Sequence, residues 1–189
     1  MNAITEHAKD VLRVSPRIVL MATVLVYLIS NQLIALRFGG YFLVAEAISQ
    51  TLKKLLGIVV PNSSLIYRPV GGGDCHGCGV FKQVGKGCID VRNHVGMPSG
   101  HSLSMAMAAT FWSLWIWYDS TGSRVNKITR MSLLVIMALL VLVSRSPLVE
   151  GCHTPLQIII GGLLGVAVGV GMYHFDKNIV QKYTCTIAN

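Results

Sequence analysis

Long apolar blocks divide the chain, and this division constrains its fold more than any other feature. The blocks occupy residues 17–38, 41–60, 99–118, 127–146 and 155–175. Each is long enough to cross a hydrocarbon core of about 30 Å as a helix. Charged residues make up only 13% of the chain, about half of what is usual in soluble domains. The sequence therefore predicts an all-α, polytopic membrane bundle with about five spanning helices.

The segments outside these blocks are predicted to belong to one integral-membrane domain that covers residues 1–189. Residues 1–15 place Ile4, Ala8 and Val11 on one helical face, so we expect this N-terminal segment to lie at the membrane interface. Residues 61–98 form a long connector without apolar periodicity. Because connectors of this length are usually functional or disordered, we interpret this one as an active-site loop.

The net charge of +8 is spread along the chain rather than concentrated. Basic residues between apolar blocks form no tract or stripe of the kind that binds nucleic acid. Positive charge that borders membrane helices meets anionic lipid head groups instead. We therefore predict the bilayer as a partner and no nucleic acid, while the oligomeric state is left open. The positive-inside rule does not orient the chain, because the basic residues divide evenly between the two faces.

Several polar residues lie at block ends that an up-and-down topology brings to one membrane face. This face collects the end of the second block, the start of the third, the end of the fourth and the start of the fifth. The residues at or just beyond these ends are Arg68, Ser99, His101, Arg145 and His153. The topology thus predicts one polar site built from residues that are distant in sequence.

The residue types at this face suit a phosphate group. Arg68 and Arg145 carry planar, permanently charged forks that match phosphate oxygens. The turn before the third helix directs unpaired backbone N–H groups and the positive end of the helix dipole to the same face. Within this turn, Gly100 allows an anion to approach the backbone closely, and Ser99 adds a hydroxyl donor.

Two histidines near this site could carry out phosphoryl transfer. Histidine titrates near neutral pH, so it can act as a nucleophile or as a general acid. We expect His153 to attack phosphorus while His101 protonates the leaving oxygen and later activates water. Lys53 or Lys54, in the second block, would add positive charge. The arginines, the lysine and the helix end supply the charge that a metal would otherwise bring, so neither a metal nor a cofactor is predicted.

Three short motifs, each at a predicted helix end, carry a family resemblance. They are YRP at residues 67–69, MPSGHS at 97–102 and SR…H at 144–153. In this order they resemble the signature of the type 2 phosphatidic acid phosphatase superfamily, which includes membrane lipid phosphatases and soluble vanadium haloperoxidases. The resemblance spans about residues 53–169. It implies the phosphatidic acid phosphatase type 2/haloperoxidase-like fold, a lipid phosphatase activity, and a site on the non-cytosolic face (endoplasmic reticulum lumen or cell exterior).

The chain departs from the family pattern at two spacings. The family places a lysine about six residues before the arginine of its first motif, whereas Lys53 and Lys54 lie much further from Arg68. The third family motif has five residues between its arginine and histidine, whereas seven separate Arg145 from His153. The sequence leaves open which lysine belongs to the site.

A third departure concerns the residue that orients the nucleophile. The family has an aspartate four positions after this histidine, and Gln157 stands there in this chain. A glutamine carbonyl can accept the Nδ1–H of His153, but it cannot stabilise an imidazolium as a carboxylate does. Glu150 is an alternative source of that carboxylate. The HTxxQ pattern is similar to the dolichyl-diphosphatase branch, which implies isoprenoid diphosphates as substrates without excluding phosphatidate.

Other functions stay open at this point. A catalytically silent membrane protein could use the same site to bind phospholipid head groups, and a vanadate-dependent peroxidase would also keep the phosphate cradle. The connector carries Cys75, Cys78 and Cys88, followed by His94. Their spacing permits a zinc site, and a disulfide within the loop is at least equally compatible with it.

Overall fold

Five α-helices account for most of the chain that the computed structural model describes, namely residues 11–12, 14–61, 63–69, 95–149 and 151–181. The helices are α1 (Ser15–Ser30), α2 (Leu33–Val59), α3 (Gly100–Tyr118), α4 (Arg124–Ser144) and α5 (Pro155–Phe175), and α5 runs into a π-helical segment, Asp176–Val180. These ranges contain no strand, only an antiparallel bridge between Tyr67 and Val95. The prediction of an all-helical fold is confirmed for this part of the chain. Most of residues 1–15 and of the 61–98 connector lie outside it.

The first apolar block is where the helix prediction is wrong. We expected one helix through Arg37, but α1 ends at Ser30 and α2 begins at Leu33. Asn31 adopts a left-handed conformation with φ of 52°, and its backbone N–H donates to the Tyr27 carbonyl at 2.8 Å. Asparagine tolerates this conformation at a helix end better than most residues. Because apolar residues continue on both sides of the break, the hydropathy pattern conceals it.

Within the described ranges, two helices are long and apolar enough to cross a membrane by themselves: Arg124–Ser144 and Pro155–Val180. On α4, Leu133, Ile136 and Leu140 are each more than half exposed. A large exposed apolar surface of this kind marks contact with lipid or with another protein.

Both helices that begin near the predicted site have side-chain caps. Ser99 caps α3, where its hydroxyl accepts the Ser102 N–H, and Pro155 lies in the first turn of α5. Thr154 and Gln157 form a reciprocal capping box at the start of α5. The backbone N–H of Ser99 donates to the backbone carbonyl of Gln157 at 3.1 Å. This bond directly joins the N-termini of α3 and α5.

The seam between α3 and α5 is set by three glycines that recur every four residues on α5. Each glycine faces a backbone carbonyl of α3. The glycines are Gly161, Gly165 and Gly169, and the carbonyls belong to Ser99, Leu103 and Met107. A Cβ at Gly169 would lie only 2.8 Å from the Met107 oxygen. Small residues at this spacing allow two helices to pack closely.

The end of the bundle away from the site is closed by polar contacts. Arg37 Nε lies 2.9 Å from the buried Asp176 carboxylate, and the Tyr41 hydroxyl donates to the same group at 2.8 Å. The Tyr173 hydroxyl donates to Asp119 at 2.7 Å. These contacts join the start of α2 to the ends of α3 and α5. The end of α2 and the starts of α3 and α5 consequently meet at the opposite end of the bundle.

We predict that Gly165→Ala destabilises the bundle by about 1–3 kcal/mol, because an overpacked seam must separate its helices. The added methyl group would collide with the Leu103 carbonyl and lie 2.9 Å from Ala106 Cβ. Gly171→Ala is the matched control, since a Cβ there meets nothing within 4 Å. Thermal unfolding in detergent measures both variants. Equal melting temperatures for the two would contradict the close packing of this seam.

Candidate active site

The loop between α4 and α5 brings His153 back beside Arg145. The backbone N–H of His153 donates to the backbone carbonyl of Arg145 at 3.2 Å, and the backbone N–H of Gly151 donates to that of Ser146 at 2.9 Å. Gly151 has a φ of 66°, a left-handed conformation that glycine adopts without strain. The loop folds back on itself and thereby accommodates the longer spacing of the third motif.

The side chain of Gln157 lies at the centre of the site and is fully buried. Its Nε2 donates to the Leu65 carbonyl at 3.2 Å and to the Tyr67 carbonyl at 2.7 Å. Its Oε1 lies 3.2 Å from His153 Nδ1 and accepts the Thr154 N–H at 3.3 Å. Two carbonyl acceptors on one side of the amide fix its orientation, because the reverse orientation would set Oε1 against both of them.

This orientation determines the tautomer of His153. Gln157 Oε1 can only accept a hydrogen bond, so His153 Nδ1 must carry the proton. In the neutral ring the lone pair is then on Nε2, the atom that can act as a nucleophile. Gln157 therefore occupies the position that the sequence analysis assigned to it beside His153 Nδ1.

The electrostatic environment keeps His153 neutral. Burial lowers its pKa well below the ordinary value, and the charges of Arg68, Lys53 and Arg145 lower it further. The hydrogen bond with Gln157 acts in the opposite direction but does not reverse the shift. At neutral pH the ring is uncharged and keeps a lone pair on one of its nitrogens.

The cations themselves form a strongly positive site. Burial, followed by repulsion from Arg145, lowers the pKa of Arg68 to about 10, so Arg68 still carries its charge at neutral pH. Arg145 is 1% exposed. Bringing two guanidinium groups together in a buried place is costly, and an anion between them would relieve the repulsion. The arrangement suits a phosphate group.

The first turn of α3 lies at this site, as its sequence suggested. Ser99 is fully buried, and its Oγ accepts a hydrogen bond from the Ser102 hydroxyl at 3.0 Å. His101 is 8% exposed and follows Gly100 in the first turn. Ser99 caps the Ser102 N–H of this turn. First-turn N–H groups have no carbonyl acceptor within their own helix, and together with the helix dipole they favour an anion at this end.

The structure distinguishes the two lysines that the sequence left open. Lys53 Nζ lies 3.4 Å from the position that a Cβ on Gly100 would occupy, and its charge acts on His153. Lys54 is exposed. The long interval before Arg68 is accommodated because α2 continues for almost two turns beyond Lys53, to Val59, before the chain turns back. Lys53 therefore lies at the site and Lys54 lies outside it.

Some predicted groups fall outside the described residues, namely Glu150, Cys75, Cys78, Cys88 and His94. The described part of the chain contains no cluster of three or more histidine, cysteine, aspartate or glutamate side chains that could hold a metal ion. Cys152, which directly precedes His153, is buried and disulfide-bonded.

Two features of the site escaped the sequence analysis. The Leu65 and Tyr67 carbonyls bind Gln157, but backbone groups leave no signature in residue types. Gly96 packs directly against the Gln157 amide, which a Cβ at this position would overlap. The glycine that precedes the MPSGHS motif was the one available signal.

We predict that Lys53→Met raises the pKa of His153 towards its ordinary value, because removing a nearby positive charge makes the imidazolium less unfavourable. Lys54→Met is the matched control and should leave this pKa unchanged. ¹⁵N-histidine NMR titrations of the purified protein measure both variants, with His153→Gln to assign the resonance. Equal responses to the two substitutions would contradict the placement of Lys53.

A comparison with protein families agrees with this geometry. The family model described as the PAP2 superfamily matches residues 34–181, which include all of α2 to α5 except Leu33 and every group placed at the site above. No curated protein and no solved structure matches the chain. The family match covers well over half of the sequence. The chain belongs to the PAP2 superfamily.

Proposed function

We propose that this protein is an integral membrane lipid phosphatase that forms a phosphohistidine at His153 without a metal ion. Membership of the PAP2 superfamily indicates a phosphatase-type activity on a phosphate-bearing substrate and, with the two apolar helices, association with a membrane. In this proposal the chain is a single domain, and all five helices span the bilayer.

One observation carries the proposal: a neutral histidine whose Nδ1 is held by Gln157, within a group of cationic side chains. A purely structural role does not account for the three cations around His153, because a neutral ring gains nothing from them. A nucleophile that must attack an anion needs both its lone pair and this positive environment.

The reaction then takes place in two displacements. His153 Nε2 attacks the terminal phosphorus, and the bond from this phosphorus to the leaving oxygen breaks. The leaving oxygen is the lipid oxygen of a monophosphate or the bridging oxygen of a diphosphate, and His101 gives it a proton. His101 next takes a proton from water, whose oxygen attacks phosphorus as the P–N bond breaks. Inorganic phosphate leaves, and both histidines return to their starting states. Arg68, Arg145 and Lys53 stabilise the negative charge on the phosphoryl oxygens in both steps.

Gln157 holds Nδ1 by its carbonyl dipole and contributes no negative charge. The imidazolium of the phosphohistidine is consequently stabilised less than it would be by a carboxylate. The weaker stabilisation of the imidazolium supports a reactive phosphohistidine that is readily hydrolysed. It is also the best argument for the competing function, a silent protein that binds phospholipid head groups.

The bundle offers a place for the apolar part of a lipid substrate. An apolar cavity of about 230 Å³ lies among α1, α2, α3 and α4, and its lining includes Val19, Met105 and Leu134. On α3 the lining begins at Met105, one helical turn beyond His101. We therefore propose a substrate with a long hydrocarbon chain. The HTxxQ pattern favours an isoprenoid diphosphate over phosphatidate.

We further propose that the site faces the non-cytosolic side of its membrane, the endoplasmic reticulum lumen or the cell exterior. The disulfide at Cys152 supports this orientation, because disulfides persist in oxidising compartments. Cys152 adjoins His153 in sequence, so both must be on the same side of the bilayer.

The test is phosphate release by the purified protein in detergent with EDTA present. The substrates are phosphatidate, lysophosphatidate, phosphatidylglycerol phosphate, farnesyl diphosphate and a dolichyl diphosphate analogue. We expect EDTA-resistant turnover that His153→Ala lowers on the order of 10³-fold or more, because the nucleophile is lost. In sealed vesicles of known sidedness, an impermeant substrate should be hydrolysed only from the non-cytosolic side.

His174→Ala is the matched control, since His174 is exposed near the far end of α5. It should retain wild-type turnover. A folded wild-type protein that binds these lipids but releases no phosphate from any of them would favour the silent binding function. Turnover that EDTA abolishes would contradict the metal-independent mechanism.

A further inference from the structure

Ser49, on the face of α2 that packs against α3, has a hydroxyl group that makes no hydrogen bond within the described part of the chain. The residue is fully buried, and its Oγ has no hydrogen-bond partner among the described residues. It lies one helical turn before Lys53 on the same face. Neither the motifs nor the mechanism above assigns it a role.

Several hydroxyl groups elsewhere in the described helices bond to their own backbone. They donate to a carbonyl three or four residues earlier, as Thr23 does to Leu20 and Ser144 does to Val141. This local bond satisfies a hydroxyl in apolar surroundings at little cost. Ser49 does not make it. A buried hydroxyl left without a partner destabilises a folded protein, so its presence calls for an explanation.

The position of Ser49 points to the phosphate site. Its Oγ lies 3.2 Å from the position that a Cβ on Gly100 would occupy, and Lys53 Nζ lies 3.4 Å from the same point. A hydroxyl and an ammonium group from successive turns of α2 thus meet above the first turn of α3. An anion that binds this helix N-terminus comes within reach of both.

We propose that Ser49 Oγ donates a hydrogen bond to a non-bridging oxygen of the substrate phosphate, beside Lys53. This inference rests on the proposed function for the identity of the ligand, a phosphate group. Glycine at position 100 leaves this space open, because a Cβ there would lie close to both Ser49 Oγ and Lys53 Nζ. Ser49 is then a substrate-binding residue on the α2 side of the site.

The test compares Ser49→Ala with Ser113→Ala. Ser113 Oγ, on α3, is also buried without a partner among the described residues, about 20 Å along the helix from Gly100. Removing either hydroxyl should leave the melting temperature without phosphate unchanged or higher, because no bond is lost. Inorganic phosphate should raise the melting temperature of the wild type and of Ser113→Ala. In Ser49→Ala, the phosphate concentration needed for the same rise should be about tenfold higher or more, since a bond to a charged group is lost.

The outcomes separate this inference from the proposed function. An equal response to phosphate in Ser49→Ala and wild type would overturn the role of Ser49. A lower melting temperature for Ser49→Ala without phosphate, combined with an unchanged response to it, would assign Ser49 to structure alone. A wild type that responds to phosphate but hydrolyses no lipid would contradict the proposed catalysis and leave the binding role of Ser49 intact. A wild type that does not respond to phosphate would overturn the Ser49 inference.

Discussion

The close approach of α3 and α5 is the constraint on which the site depends. Glycines on α5 allow the backbone of α3 to lie against it, and the Ser99 N–H then reaches the Gln157 carbonyl. At this distance the first turn of α3 lies next to the loop that carries His153. A wider seam would separate the N-terminus of α3, the proposed phosphate-binding element, from His153, the proposed nucleophile. The close packing of α3 against α5 therefore determines the geometry of the site.

Gln157 illustrates how a neutral residue can stand beside the proposed nucleophile, His153, where the family pattern has an aspartate. Its amide has both a donor and an acceptor end, so it binds the chain just before Arg68 at one end and His153 at the other. A carboxylate could not donate to the Leu65 and Tyr67 carbonyls. Compared with an aspartate, the glutamine lacks a negative charge but connects the segment before Arg68 with His153. Because Gln157 is neutral, it does not offset the positive charge of the arginines and Lys53 at the proposed phosphate position.

The sequence predicted the helices best where length and capping agreed, as at α3 and α5. It failed at Asn31, because hydropathy does not register a single left-handed residue between apolar segments. The site motifs predicted which helix ends meet, since alternating helices fix which ends share a face. They could not choose between Lys53 and Lys54, because that choice depends on the rotation of α2 about its axis. Ser49 was within reach of sequence reasoning, one turn before Lys53, but only burial reveals that its hydroxyl lacks a partner.

The central claim is that His153 carries the phosphoryl group on the nitrogen that Gln157 leaves unprotonated. Rapid quenching of the working protein at alkaline pH, followed by mass spectrometry and ³¹P NMR, measures this directly. We expect phosphate on His153 at Nε2, formed within the first turnover and lost as inorganic phosphate appears. Phosphate on His101, on Nδ1 of His153, or on neither histidine during active turnover would contradict it.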